Sequence, residues 1–416
     1  VTTTLIAPAE VVDRPAHRDG NVLRWLAAYT SSMIGDSVYY IALSWAAVQA
    51  GSPSQAGVVM AVSALPRALL MLGGGVIADR LGPRRVVIGS DAVRCAAVLA
   101  VAGLLFFTSP GLWPLAALAL VFGTVDAVFM PAVGALPARM TSRGQLARVQ
   151  GMRGLGIRFA SVVGGPLGGL AVAVGGAAAA FGLAGLLIAV SVPLLVSVRM
   201  RELPADDKAA SGGSTAWRDL VGGLRYIRRH RVLAPLMVAI ALGDLGFVGP
   251  LNVGLTLLAD ERGWGASGMG WVLSGFGVGA GAAALLLTVR GRLPHAGQVA
   301  AYAILAGSVA IGSLAYAPGV VAAVGIALLI GLLAGLSGAM CGALLQTQAD
   351  PACLGRVTAV SGLVSLGFAP LSMPLSAAAI GVWGTGPVFV GSAVVCGLGG
   401  VVALCVKDLR RAELPK

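Results

Sequence analysis

Charge is what this sequence has least of: only 11% of its 416 residues are charged and only 17 are acidic. A soluble domain carries about a quarter charged residues, so with 57% apolar residues and a mean hydropathy of +0.89 the chain reads as a polytopic membrane protein. Histidine is equally sparse. His17, His230 and His295 fall in cytoplasmic or boundary segments with no HExxH spacing, and no GxxxxGK[ST] phosphate loop occurs, so neither zinc-dependent hydrolysis nor ATP hydrolysis by this chain is expected. The five cysteines show no CxxC or Cys/His metal spacing and read as small core hydrophobes, with no disulfide framework, metal or cofactor implied. No enzyme constellation remains.

What is present is a series of long apolar runs. A span needs about 20 apolar residues to cross a hydrocarbon core of roughly 30 Å, and the chain divides into about twelve such runs. The first set is 23–49, 56–78, 86–107, 113–136, 151–174 and 177–198; the second is 232–258, 267–289, 298–316, 320–346, 357–381 and 388–406. The first run is too long for a signal-peptide core and is expected to remain as a span. The expected organisation is an N-terminal tail (1–22), an N-terminal half (23–198), a linker (199–231), a C-terminal half (232–406) and a C-terminal tail (407–416). Within the linker, "WRDLVGGLRYIRRHR" has a basic amphipathic pattern suited to a helix on the inner leaflet.

Arginine sets the orientation, because positive residues are retained on the cytoplasmic side. With both termini inside, the cytoplasmic segments hold Arg80, Arg84, Arg85, Arg139, Arg143, Arg148, Arg153, Arg290, Arg292 and Arg356, while the outer loops hold only Arg262. The net charge of +12 is therefore a topology signal that needs no nucleic acid. Trp25, Trp113, Trp264 and Trp383 fall at span ends and read as interfacial anchors.

Sliding the chain by 208 residues, half its length, aligns "LARVQGMRGL" at Leu146 with "LGRVTAVSGL" at Leu354. The same shift pairs Gly35-Asp36 with Gly243-Asp244 and Pro166 with Pro374. Matches at one offset in separate regions indicate duplication. Six spans per copy leave both copies in the same orientation, an arrangement found in transporters built from parallel halves.

The turn between the second and third runs, "GVIADRLGPRR", resembles the loop signature of the major facilitator superfamily at Gly75, Asp79, Arg80, Gly82, Arg84 and Arg85, with Pro83 displacing the basic pair by one place. The resemblance covers nearly the whole chain. It is nearest to the macrolide-efflux and enterobactin-exporter branch, through "IGDSVYYIALSW", "DAVFMPAVGALPARM", "LRYIRRHRVL" and "LGRVTAV". "GGPLGG", Gly164 to Gly169, resembles that family's antiporter motif with one residue fewer after the proline. The resemblance implies an all-α fold of twelve transmembrane helices in two pseudo-symmetric halves, with the charged turn acting as a cytoplasmic gate. It also implies export of amphipathic, drug-like molecules or secondary metabolites in exchange for protons.

Site residues are sought where charge is costly. At about 1.5 Å per residue, Asp36 lies roughly 18 Å from Arg24 and Asp244 roughly 20 Å from Arg231, and Arg67 and Asp126 reach a similar depth. An ion at the midplane costs from about 2.5 to more than 10 kcal/mol, so each should face a cavity or a partner. Asp36, Asp244 and Asp126 are the proton-coupling candidates; the alternative for Asp36 is a permanent structural pair with Arg67 or Arg158. Tyr40, Arg67, Met130 and Arg158 are the substrate-cavity candidates, and the four midplane charges are expected to share one cavity between the halves. Asp91 and Arg94, three apart, read as a local structural pair. The expected partners are a small amphipathic substrate, protons and lipid, for a monomer in a bacterial cytoplasmic membrane, the arginine-for-lysine bias pointing to a GC-rich genome. A lysophospholipid or metabolite transporter of the same fold, and a non-transporting sensor or scaffold, are the alternatives.

Overall fold

The structure, a computed structural model, describes residues 18–108, 111–141, 145–198, 216–290, 295–350 and 353–413. Among these residues the regular structure is helical. The first helices are α1 (Gly20–Ala50), α2 (Pro53–Leu81), α3 (Pro83–Phe107), α4 (Trp113–Met140) and the 52-residue α5 (Leu146–Ser197). A short α6 (Ala216–Arg229) leads to α7 (Leu233–Gly249), which continues through a π turn at Pro250–Gly254 into α8 (Leu255–Glu261). The remainder are α9 (Gly265–Arg290), α10 (Ala296–Leu314), α11 (Val320–Gln348), α12 (Leu354–Trp383), α13 (Thr385–Cys405) and the single turn α14 (Lys407–Arg410). Nine helical stretches of the described residues are long and apolar enough to cross a membrane.

Local sequence accounts for the helix starts. Asp19 accepts from the Asn21 amide at 2.8 Å to cap α1, and Ser52 and Gln55 form a capping box ahead of Pro53 on α2. Pro83 opens α3, where its missing N–H costs nothing. The expected runs 151–174 and 177–198 are joined in α5, but Gly175 and Gly176 leave the helical region there. Gly176 has φ +69°, which glycine adopts without Cβ strain, so the chain reverses at that point.

Helices α1 to α5 pack on one another, as do α7 to α13, and the two groups meet along α5 against α9 and α2 against α12. "GGPLGG" explains the first of these contacts. Gly164 and Gly168 lie against Ser37 and Ile41 of α1, while Gly165 and Gly169 lie against Gly270 and Ala266 of α9. Two four-residue spacings offset by one residue thus present two faces about 100° apart on one helix, and the missing side chains let three backbones approach. Polar bonds reinforce the same end of the molecule. Ser44 bonds Thr256, Gln49 donates to Asp260 at 2.7 Å, and Ser274 donates to the Val162 carbonyl at 2.8 Å.

The amphipathic linker helix is present as α6, packed beneath α12. Ile227 is buried, and the Tyr226 hydroxyl accepts from the Asp350 amide at 3.1 Å. Residues 199–215 and the tail before residue 18 lie outside the described residues. One anchor assignment is corrected: Trp25 is buried at 1% exposure and stacks on Tyr29, whereas Trp113 and Trp383 are exposed as an interfacial role requires. Length to the end of a run does not reveal which way a ring turns.

Candidate functional site

Three helices of the N-terminal half bring four charged side chains to one point. Arg94, on α3, is fully buried. Its Nη1 donates to both carboxylate oxygens of Asp36 on α1, at 3.0 and 2.9 Å, and to Asp126 on α4 at 3.2 Å. Its Nη2 donates to Asp91 and to the Ser32 hydroxyl at 3.2 Å. Asp91 also accepts from Ser32 at 3.1 Å and from Ser191 on the second half of α5. The Phe129 ring lies 4.1 Å from the guanidinium carbon, where a desolvated cation gains from the aromatic face.

Three carboxylates therefore surround one guanidinium, with Asp36 the most accessible at 14% side-chain exposure. The geometry corrects one expectation and extends another. The partner of Asp36 is Arg94, neither Arg67 nor Arg158. The local Asp91–Arg94 salt bridge is present as expected, and it forms the centre of a network spanning α1, α3, α4 and α5. Sequence reasoning missed Arg94 because it was weighed by its nearest acid. The signal was its depth, since eleven residues beyond Pro83 place it about 16 Å along α3, level with Asp36.

Asp244, the counterpart of Asp36 in the duplication, has different surroundings. It lines a cavity of about 420 Å³ enclosed mainly by α7, α9, α10, α11 and α13. Ser365 of α12 is its hydrogen-bonding neighbour, and its Oδ2 is buried without a partner. Phe247 and Phe276, with ring centres 5.8 Å apart, form part of the wall. Arg158, from α5, lines the same cavity but forms no ion pair with Asp244 among the described residues.

The midplane charges thus do not share one cavity. Tyr40 lines two smaller cavities, of about 240 and 210 Å³, and its hydroxyl points to Asp126 at a long 3.5 Å. Arg67 lines the smallest of the three. Met130 lines none of these three, although it stands four residues after Asp126. Tyr39, next to Tyr40, turns into the core and stacks on Phe122 at 3.6 Å.

At the charged turn, Gly82 has φ +82° and permits the reversal between α2 and α3. Arg84 donates to the Val196 carbonyl at 2.6 Å, near the end of α5, so it is held within its own half; Arg85 is exposed. The side chains at Gly75, Asp79 and Arg80 lie outside the described residues.

Comparison with known proteins bears on the family and the fold. The model of the Major Facilitator Superfamily matches residues 25–370. The multidrug efflux pump Tap of Mycolicibacterium fortuitum is 25% identical, the match covering 95% of this chain and 98% of that protein. The enterobactin exporter EntS of Escherichia coli O139:H28 is 27% identical over 69% of this chain and 67% of its own length. Among solved structures, a peptide transporter POT in complex with sulfate superposes with a TM-score of 0.72 at 14% identity, covering 95% of this chain and 96% of that one. The nucleoside transporter NupG superposes at 0.67 with 13% identity, covering 95% and 100%. At such identities these structures speak for the fold alone.

Proposed function

The chain belongs to the major facilitator superfamily, and on that premise we propose that it is a secondary active exporter of amphipathic small molecules, drugs or secondary metabolites, driven by exchange for protons. The direction rests on relatives named as an efflux pump and an exporter. The proton half of the proposal rests on one observation: three buried carboxylates face one guanidinium. Fully ionised, that cluster would hold two negative charges in excess at a site where each uncompensated ion costs several kcal/mol. Protons are the simplest means of removing the excess, and Asp36 is the member through which they exchange. Arg67 forms no ion pair with the three acids among the described residues.

With α1 and α2 counted and α5 divided at Gly175–Gly176, the nine membrane-length stretches become twelve crossings. Both termini and the arginine-rich turns then lie in the cytoplasm of a bacterium, with no enzymatic activity required. The close approaches of α5 to α9 and the bonds of Ser44 and Gln49 then lie at the outer end, which supports a closed outer side within an alternating-access cycle of a monomer. Asp79, Arg80 and their neighbours in the charged turn would engage the other half once the cytoplasmic side closes.

The test is dye efflux from proteoliposomes with and without an imposed pH gradient. Wild-type flux should rise severalfold with the gradient, while Asp36→Asn should retain dye binding and lose that rise. Equal gradient-driven flux in wild type, Asp36→Asn and Asp126→Asn would exclude the cluster as the proton site.

A further inference from the structure

The two halves differ most where the duplication makes them equivalent. At the offset of 208, Arg94 and Asp126 of the Asp36 cluster, Phe129 over Arg94 and Ile188 beside Gly35 become Tyr302, Ala334, Ser337 and Cys396. Tyr302 is 61% exposed and turned away from the bundle, while Ala334, Ser337 and Cys396 line the cavity of about 420 Å³. Three large or charged side chains have thus given way to small ones, and the cation opposite the carboxylate has no protein equivalent. Asp244 Oδ2 remains buried and without a hydrogen-bond partner. Asp244 lines the cavity, and a buried carboxylate oxygen is costly unless a cation or donor reaches it.

We propose that this cavity of the C-terminal half binds the protonated amine of an amphipathic ligand, whose ammonium group meets Asp244 in the place that Arg94 takes beside Asp36. The remaining features fit that class of ligand. Phe247 and Phe276 offer aromatic faces to a cation and to an apolar body. The other charged residue lining the cavity, Arg158, comes from the opposite half and forms no ion pair with Asp244 among the described residues, so it is free to meet a polar group of the ligand other than the amine. A molecule held by Asp244 on one half and Arg158 on the other would join the halves when bound. The proposal relies on the exporter reading only in taking this ligand as the cargo; the binding itself requires no flux and no gradient.

The experiment is calorimetric titration of the purified full-length protein in detergent, without a gradient, using phenylbutylamine and its uncharged acetamide. Wild type should bind the amine at least tenfold more tightly than the acetamide. Asp244→Asn, which preserves side-chain shape, should remove that preference and leave acetamide binding unchanged. Gly338→Leu is the second variant. Gly338 lines the cavity and has open space at its Cβ position, so the added side chain should block both probes without touching Asp244. Equal wild-type affinity for the two probes, no amine binding, an amine preference kept in Asp244→Asn, or amine binding indifferent to Gly338→Leu would each overturn the proposal. Loss of proton-driven flux in the Asp36 variant bears on the other reading and leaves this one standing.

Discussion

Asp36 and Asp244 occupy matching positions in two copies of one ancestral half, yet one is clamped by a buried arginine and the other faces a cavity. The backbone has been kept and the side chains have diverged. Helix crossings depend on small residues at contact points, and each half has one at this crossing: Gly35 packs against Ile188, and Gly246, three residues beyond the Gly243 that matches Gly35, packs against Cys396. A buried ion cluster is different, because its members satisfy one another and removing one leaves the rest uncompensated. The N-terminal half must keep its set whole, whereas the C-terminal half needs only small residues to keep a cavity. On the two proposals above, one half would hold protons and the other a ligand.

The largest effect should come from breaking the clamp. Arg94→Ala would leave Asp36, Asp91 and Asp126 facing one another without the guanidinium, and Phe129 without the cation above it. Removing one partner of a buried ionic group costs about 3–5 kcal/mol, so detergent-purified Arg94→Ala should melt well below wild type or fail to accumulate. The same measurement on Asp244→Ala should show little change, because no protein cation is lost. Comparable destabilisation in both would mean that Asp244 has a structural role like that of Asp36, and the contrast between the halves would collapse.

A smaller and more selective effect is expected from making the C-terminal half resemble its partner. Ser337→Phe restores the side chain that Phe129 supplies 208 residues earlier and places it in the cavity. It should weaken phenylbutylamine binding at least tenfold, about 1.4 kcal/mol, and leave the melting temperature close to that of wild type. Unchanged binding would show that the ring finds another place and that the volume difference is not what separates the halves.

The sequence carried the coarse architecture because membrane burial writes itself in one dimension. Long apolar runs, arginine-rich turns and the repeat offset are properties of neighbouring residues or of simple shifts. Asp36, Asp126, Asp244 and Arg67 were visible as charges at depth for the same reason. The cluster was not, since Arg94 meets Asp36 from 58 residues away and Asp126 from 32, and only helix packing brings them together. The cavity was partly legible. Ala334, Ser337 and Cys396 could have been compared with Asp126, Phe129 and Ile188 at the offset already found, but their convergence around Asp244 depends on several helices at once.

The smallest effect should come from Tyr40→Phe. Its hydroxyl reaches Asp126 at 3.5 Å, the outer limit of a hydrogen bond, and its counterpart 208 residues on is Val248, which has no hydroxyl at all. Removing it moves the N-terminal half one atom toward the C-terminal pattern. Because so long a bond contributes less than about 0.5 kcal/mol, the melting temperature should barely move. The pH dependence of dye flux should also persist, since Arg94 still holds Asp126 at 3.2 Å. Tyr40 also lines the two smaller cavities, so a change in dye affinity without a change in stability would locate its role there. A loss of stability approaching that of Arg94→Ala would instead make the hydroxyl a full member of the cluster, and the boundary between the two halves' chemistry would have to be drawn at Tyr40 as well.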